Sequence, residues 1–84
     1  MYEYELMPVD GRKSFYGKCR VQREDDGREY LVSYHTTVAR RDADGTIHRT
    51  WNGWSMTTGR HIRAFCGMSK AEYQSLPYEP YKAL

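Results

Sequence analysis

Apolar and polar residues alternate from the start of the chain. Tyr2, Tyr4 and Leu6 share one parity, while Glu3, Glu5 and Met7 share the other. A two-residue period of this kind predicts a half-buried strand, and Pro8 stops it. Val9-Asp10-Gly11-Arg12-Lys13 follows as a turn or short loop. A second strand is predicted where Phe15, Gly17, Cys19 and Val21 oppose Lys18, Arg20 and Gln22. It ends in Glu24-Asp25-Asp26-Gly27, whose Asp-Gly pair suits a primed hairpin turn because Gly accepts positive φ.

The longest alternation sets Tyr30, Val32, Tyr34, Thr36 and Val38 against Leu31, Ser33, His35, Thr37 and Ala39. It predicts one central strand. Asp42-Ala43-Asp44-Gly45 reads as a second hairpin turn. Thr46–Trp51 returns as a further strand, with Ile47, Arg49 and Trp51 on one side, before Asn52-Gly53 breaks the ladder.

The period then changes. Ser55, Thr57 and Thr58 are candidate N-caps, since a short side-chain oxygen can accept from a free N–H at the start of a helix. Ile62 and Phe65 fall three apart, Thr58 and Cys66 extend their stripe by fours, and Arg60 and Arg63 project elsewhere. Gly67 suits the left-handed residue that closes a helix. Ser69-Lys70-Ala71-Glu72 matches a capping box and predicts a second short helix ending before Pro77. Tyr78-Glu79-Pro80-Tyr81 reads as an extended tail, packed or frayed.

Hairpins followed by helices define an α+β fold. We expect a three- to four-stranded antiparallel sheet packed against one main helix and a short second one, with the far face solvated or covered by a partner. With 84 residues and no linker or repeat, the chain 1–84 is expected to be a single small domain. Its 39% hydrophobic and 29% charged residues fit a folded chain rather than a disordered one. Eight tyrosines are a high count, and most are expected to cover a thin core with their rings.

Charge changes the picture more than composition does. Residues 1–36 carry six Lys/Arg against seven Asp/Glu, whereas residues 37–70 carry six against two. Arg40, Arg41, Arg49, Arg60 and Arg63 supply five of those six cations. The planar guanidinium fork favours carboxylate and phosphate. A net charge of +2 is too basic for a DNA mimic and does not by itself demand a nucleic-acid partner.

Other chemistry is sparse. Met1–Glu5 has no basic region leading into an apolar run, so no signal peptide is expected, and no apolar run reaches membrane-spanning length. Cys19 and Cys66 are accordingly read as reduced, mostly buried thiols. Cys19, His35, His48, His61 and Cys66 are suitable zinc ligands but lack ligand spacing, and no metal or cofactor is expected. His61 with Cys66 could be imagined as base and nucleophile, but Cys66 belongs to the apolar stripe, so no enzyme is expected. A helix-turn-helix is a weaker option, because the second helix would be short and carry only Lys70 as a cation.

What remains is a mixed aromatic and cationic surface around the strand-to-helix junction. Arg40, Arg41, Arg49, Trp54, Arg60, His61 and Arg63 are its candidate partner-binding residues. Trp and Arg dominate protein interface energetics and also suit stacking on single-stranded bases. One of Trp51 and Trp54 is expected to close the core beneath the helix.

Two stretches carry a resemblance. Ser33-Tyr34-His35-Thr36-Thr37-Val38-Ala39, then a Gly-containing turn, then Trp54-Ser55-Met56-Thr57-Thr58-Gly59-Arg60-His61-Ile62-Arg63-Ala64-Phe65, resemble a family of short proteins of unknown function. That family is found on phages and mobile elements of Gram-positive bacteria. The likeness spans residues 33–65 and brings no catalytic assignment with it. It implies a genomic setting in which small non-enzymatic proteins often inhibit host defence, anti-CRISPR proteins among them. The expectation is therefore a binding protein that acts in the cytoplasm of a bacterial host on a defence complex such as a CRISPR effector. The alternative is a small nucleic-acid-binding regulator using the same Arg40–Arg63 surface.

Overall fold

A computed structural model describes residues 1–81. Five antiparallel strands run in the order β1 (Tyr2–Glu5), β2 (Cys19–Arg23), β3 (Glu29–Ser33), β4 (Thr36–Arg41) and β5 (Ile47–Arg49), each hydrogen-bonded to the next. Helices α1 (Met56–Cys66) and α2 (Lys70–Ser75) follow. The fold class is α+β as expected, but the sheet has five strands instead of three or four.

The difference comes from the 30–39 alternation, which is a hairpin and not one strand. Ser33 pairs with Thr36, so Tyr34 and His35 form a two-residue loop. Such loops need a positive φ, which Asn and Gly supply readily. Here Tyr34 supplies it at φ 57°, and Tyr16 sits similarly at φ 54°. For residues with a Cβ the left-handed region costs about 1–2 kcal/mol. The predicted second strand also begins later, at Cys19, because Phe15–Lys18 is a turn closed by Lys18 N–H donating to the Phe15 carbonyl at 3.0 Å.

Pairing places Cys19, Val21, Leu31, Ser33 and Ala39 on one face of the sheet. Opposite Leu31 and Val32 the register shifts, leaving Val38 as an extra residue in β4, so that Val38 and Ala39 are both buried. Ile62 and Phe65 of α1, Tyr73 of α2 and Phe15 close the core over this face. Ser55 caps α1 by accepting from Thr58 N–H, and Gly67 ends it at φ 75°. Ser69 and Glu72 form the capping box of α2. Tyr73 is wholly buried, and its hydroxyl donates to the carbonyls of Val38 at 2.7 Å and Trp51 at 3.0 Å. That contact clips the six-residue helix to the bulge.

The far face is partly covered by the chain's own tail. Tyr78 bridges Arg49 in parallel, Glu79 N–H donates to the Arg49 carbonyl at 2.8 Å, and Tyr81 meets Tyr30 edge-on at 5.5 Å. Tyr30 and Val32 are buried, although they point away from the helices. Among the described residues, no helix is long and apolar enough to cross a membrane.

Candidate functional site

The sheet uses several of its arginines internally. Arg41, at the end of β4, donates to Glu29 Oε1 at 3.0 Å and to the Phe65 carbonyl in the last turn of α1. Arg49, at the end of β5, donates to the carbonyls of Gln74 at 2.8 Å and Leu76 at 3.3 Å, where α2 ends. Helix C-termini expose carbonyls without intrahelical partners and carry partial negative charge. Two neighbouring strands thus each lend a guanidinium to the C-terminus of one helix. Arg40 donates to Asp42 at 2.8 Å.

His61 lies inside α1, 1% exposed. Its Nδ1 is 2.7 Å from Ser33 Oγ, which is also 2.9 Å from Thr58 Oγ1. Phe15 packs edge-on against the imidazole at 4.5 Å. Burial, aided by the charge of Arg60, holds the His61 pKa below its usual value. Ser33 with His61 has the atoms of a nucleophile and its base, but both are enclosed, at 2% and 1% exposure. Burial likewise pushes the Cys19 thiol up to about 12 and raises that of Cys66, so neither favours a reactive thiolate. Both cysteines are free, and among the described residues no three His, Cys, Asp or Glu side chains converge as a metal-binding set.

The remaining three of the seven candidates come together. Trp54, Arg60 and Arg63 line a groove of about 310 Å³ with Met56, Gly59, Met68, Ser69 and Lys70. Trp54 rests on Gly59 and tilts against Tyr73 at 5.8 Å between ring centroids. Both tryptophans are half-buried and pack against the core, rather than one alone. Arg63 and Lys70 are exposed, and Arg60 lies 3.7 Å from Asp10. The groove therefore brings half-buried Trp54 and Met68 and exposed Met56 together with three cations, of which Arg60 is paired with Asp10, and no carboxylate is among its lining residues.

Sequence reasoning missed Met56, Met68 and Lys70 as companions of Trp54. The signal was present, because Gly67 turns the chain so that the start of α2 returns beside α1. Arg40, Arg41, Arg49 and His61 do not line this groove.

These features define a small α+β protein: a five-stranded antiparallel meander with two helices across one face and a cation-rimmed groove beside them. Residues 2–79 match the family of unknown function DUF8033, and the chain belongs to that family. No curated protein and no solved structure matches it.

Proposed function

We propose that this is a non-enzymatic binding protein that docks on an acidic surface of a partner through the groove beside α1. One observation carries the reading: Trp54 and Met68, half-buried against the core, offer an apolar seat beside exposed Met56, with Arg63, Lys70 and the Asp10-paired Arg60 around it and no carboxylate among the lining residues. An anchor in a pocket with charged groups at its edge is the usual anatomy of an interaction hot spot. The likeness to phage and mobile-element proteins supports the narrower reading: a host-defence complex such as a CRISPR effector as the partner, met in the bacterial cytoplasm.

The test is affinity purification from a bacterial host with wild-type protein and an Arg60→Glu/Arg63→Glu variant. A defence nuclease recovered by wild type and lost with the folded variant is the expected result, because like charge across an interface repels. A partner held equally by both proteins would remove the groove from the interface.

The second reading, a nucleic-acid regulator using the whole Arg40–Arg63 surface, has less support. Arg40, Arg41 and Arg49 already serve carboxylates and helix ends.

A further inference from the structure

Two β-turns lie side by side at one end of the sheet. Phe15–Lys18 and the Tyr34-His35 loop are joined where Tyr34 N–H donates to the Lys18 carbonyl at 2.7 Å. Each turn holds a tyrosine at positive φ, and among the described residues these are the only non-glycine residues in that region. Asn, Asp or Gly would meet the backbone requirement with less strain. Tyr34 has a local role, since its ring tilts over His61 at 5.9 Å and under the Lys18 ammonium at 5.7 Å. Tyr16 has much less to hold it, being 79% exposed. A strained, exposed aromatic residue gains little for the fold, and such outliers concentrate at functional positions.

The space between the turns is a cleft of about 360 Å³ lined by Tyr16, Gly17, Lys18, Arg20, Tyr34 and His35. The lining contains three basic side chains and no carboxylate of its own, although the Glu5 carboxylate adjoins it, accepting from Gly17 N–H at 2.8 Å. Arg20 is partly engaged, donating to Glu3 at 3.2 Å and to the Tyr34 carbonyl at 3.0 Å, whereas Lys18 and His35 are exposed. Aromatic rings interleaved with cations are what a flexible polyanion with planar bases needs, namely faces to stack on and charges for its phosphates. The cleft shares no residue with the groove beside α1.

We infer that the cleft between the Tyr16 and Tyr34 turns binds single-stranded nucleic acid, with a base stacked on Tyr16 and the backbone phosphates against Lys18, Arg20 and His35. The ligand is separate from the acidic protein surface proposed for the groove, and each reading can fail without the other.

Fluorescence anisotropy with a labelled oligothymidylate and an oligouridylate, each of about ten nucleotides, tests it at graded salt. Binding should weaken as salt rises, and Tyr16→Gly should reduce affinity by about tenfold or more, the effect of losing one stacked base. The same substitution should leave the melting temperature unchanged or higher, because Gly relieves the strained φ. Lys18→Ala should also weaken binding, whereas Arg60→Glu/Arg63→Glu should bind as wild type. No binding at low salt would overturn the inference, as would full affinity in Tyr16→Gly. Displacement by polyglutamate as readily as by unlabelled oligonucleotide would also overturn it, assigning the cleft to acidic proteins instead.

Discussion

The Arg41 guanidinium lies over the ring of Phe65, 4.2 Å from its centroid, and also donates to the carbonyl of that residue. One side chain thus stacks on the aromatic anchor of α1, closes the end of the helix, and holds Glu29, which is 9% exposed and also accepts from the Tyr4 hydroxyl at 3.1 Å. Phe65→Ala should lower stability by about 3–5 kcal/mol, because it removes a buried ring and leaves a cavity. Arg41→Ala should cost about 1.5–3 kcal/mol, as for a lost hydrogen bond to a charged group. Adding Glu29→Gln should recover part of that loss, since a neutral amide is easier to leave unpaired. Urea titration of Phe65→Ala, Arg41→Ala, Glu29→Gln and the Arg41→Ala/Glu29→Gln double variant measures each difference, and an additive double variant would show that Arg41 and Glu29 act independently.

His48 holds the tail through charge. Its Nδ1 lies 2.6 Å from Glu79 and its Nε2 lies 2.7 Å from Asp42, so both nitrogens must carry protons to donate to both carboxylates. The bond to Glu79 raises the His48 pKa, with Asp42 adding to the effect and Arg40 and partial burial opposing it. A raised folded pKa gives stability that is complete below the unfolded value of about 6.5 and lost as pH rises through the folded value. Tail docking should therefore loosen on the alkaline side, read as faster amide exchange at Glu79. His48→Gln should exchange at a rate that tracks only the intrinsic pH dependence.

His61 works in the opposite direction. Burial, then the Arg60 charge, depresses its pKa, so its contribution is complete above the unfolded value of about 6.5 and declines as pH falls through the folded value. Thermal melts of His48→Gln, in which His61 remains, should fall as pH is lowered from roughly 7 to 5. Melts of His61→Gln should show less of that acid loss, if the variant folds. Identical acid slopes in the two variants would mean that neither imidazole governs this range.

Gly59 inverts an ordinary expectation. Alanine in a helix interior is normally better than glycine by about 0.5–1 kcal/mol. Here an added Cβ would lie 2.9 Å from Trp54 Cη2 and 3.0 Å from its Cε2, closer than carbon atoms pack. Gly59→Ala should lower the melting temperature and shift tryptophan emission as Trp54 leaves its seat, whereas a stabilised variant would show that the ring gives way freely. Because Trp54 floors the proposed docking groove, partner capture should weaken in the same variant.

The parts of the fold written in neighbouring residues were readable from the sequence. Ser55, Gly67 and the Ser69–Glu72 box mark helix ends because a cap is satisfied within three or four positions. The Tyr34-His35 turn was hidden because its residues continue the alternation of the flanking strands and include no Gly, Asn or Asp to announce a reversal. The arginines were harder still. Arg41 finds Glu29 twelve positions back and Phe65 twenty-four ahead, so only the assembled sheet shows that it serves the fold. Trp54, Arg60 and Arg63 were legible as a group because α1 keeps them close, whereas Met68 and Lys70 required the turn at Gly67.

The strand order β1-β2-β3-β4-β5 has a kinetic corollary. Every ladder joins neighbours along the chain, and the short turns linking β2 to β5 let those hairpins zip without first closing a long loop, whereas β1 must close over residues 6–18. The slow commitments are then the distant ones: Tyr73 reaching Val38, and Glu79 reaching His48. The sheet should form early and the C-terminal clip late. Tyr73→Phe, which removes only the hydroxyl, should therefore speed unfolding and leave the refolding rate nearly unchanged in stopped-flow measurements.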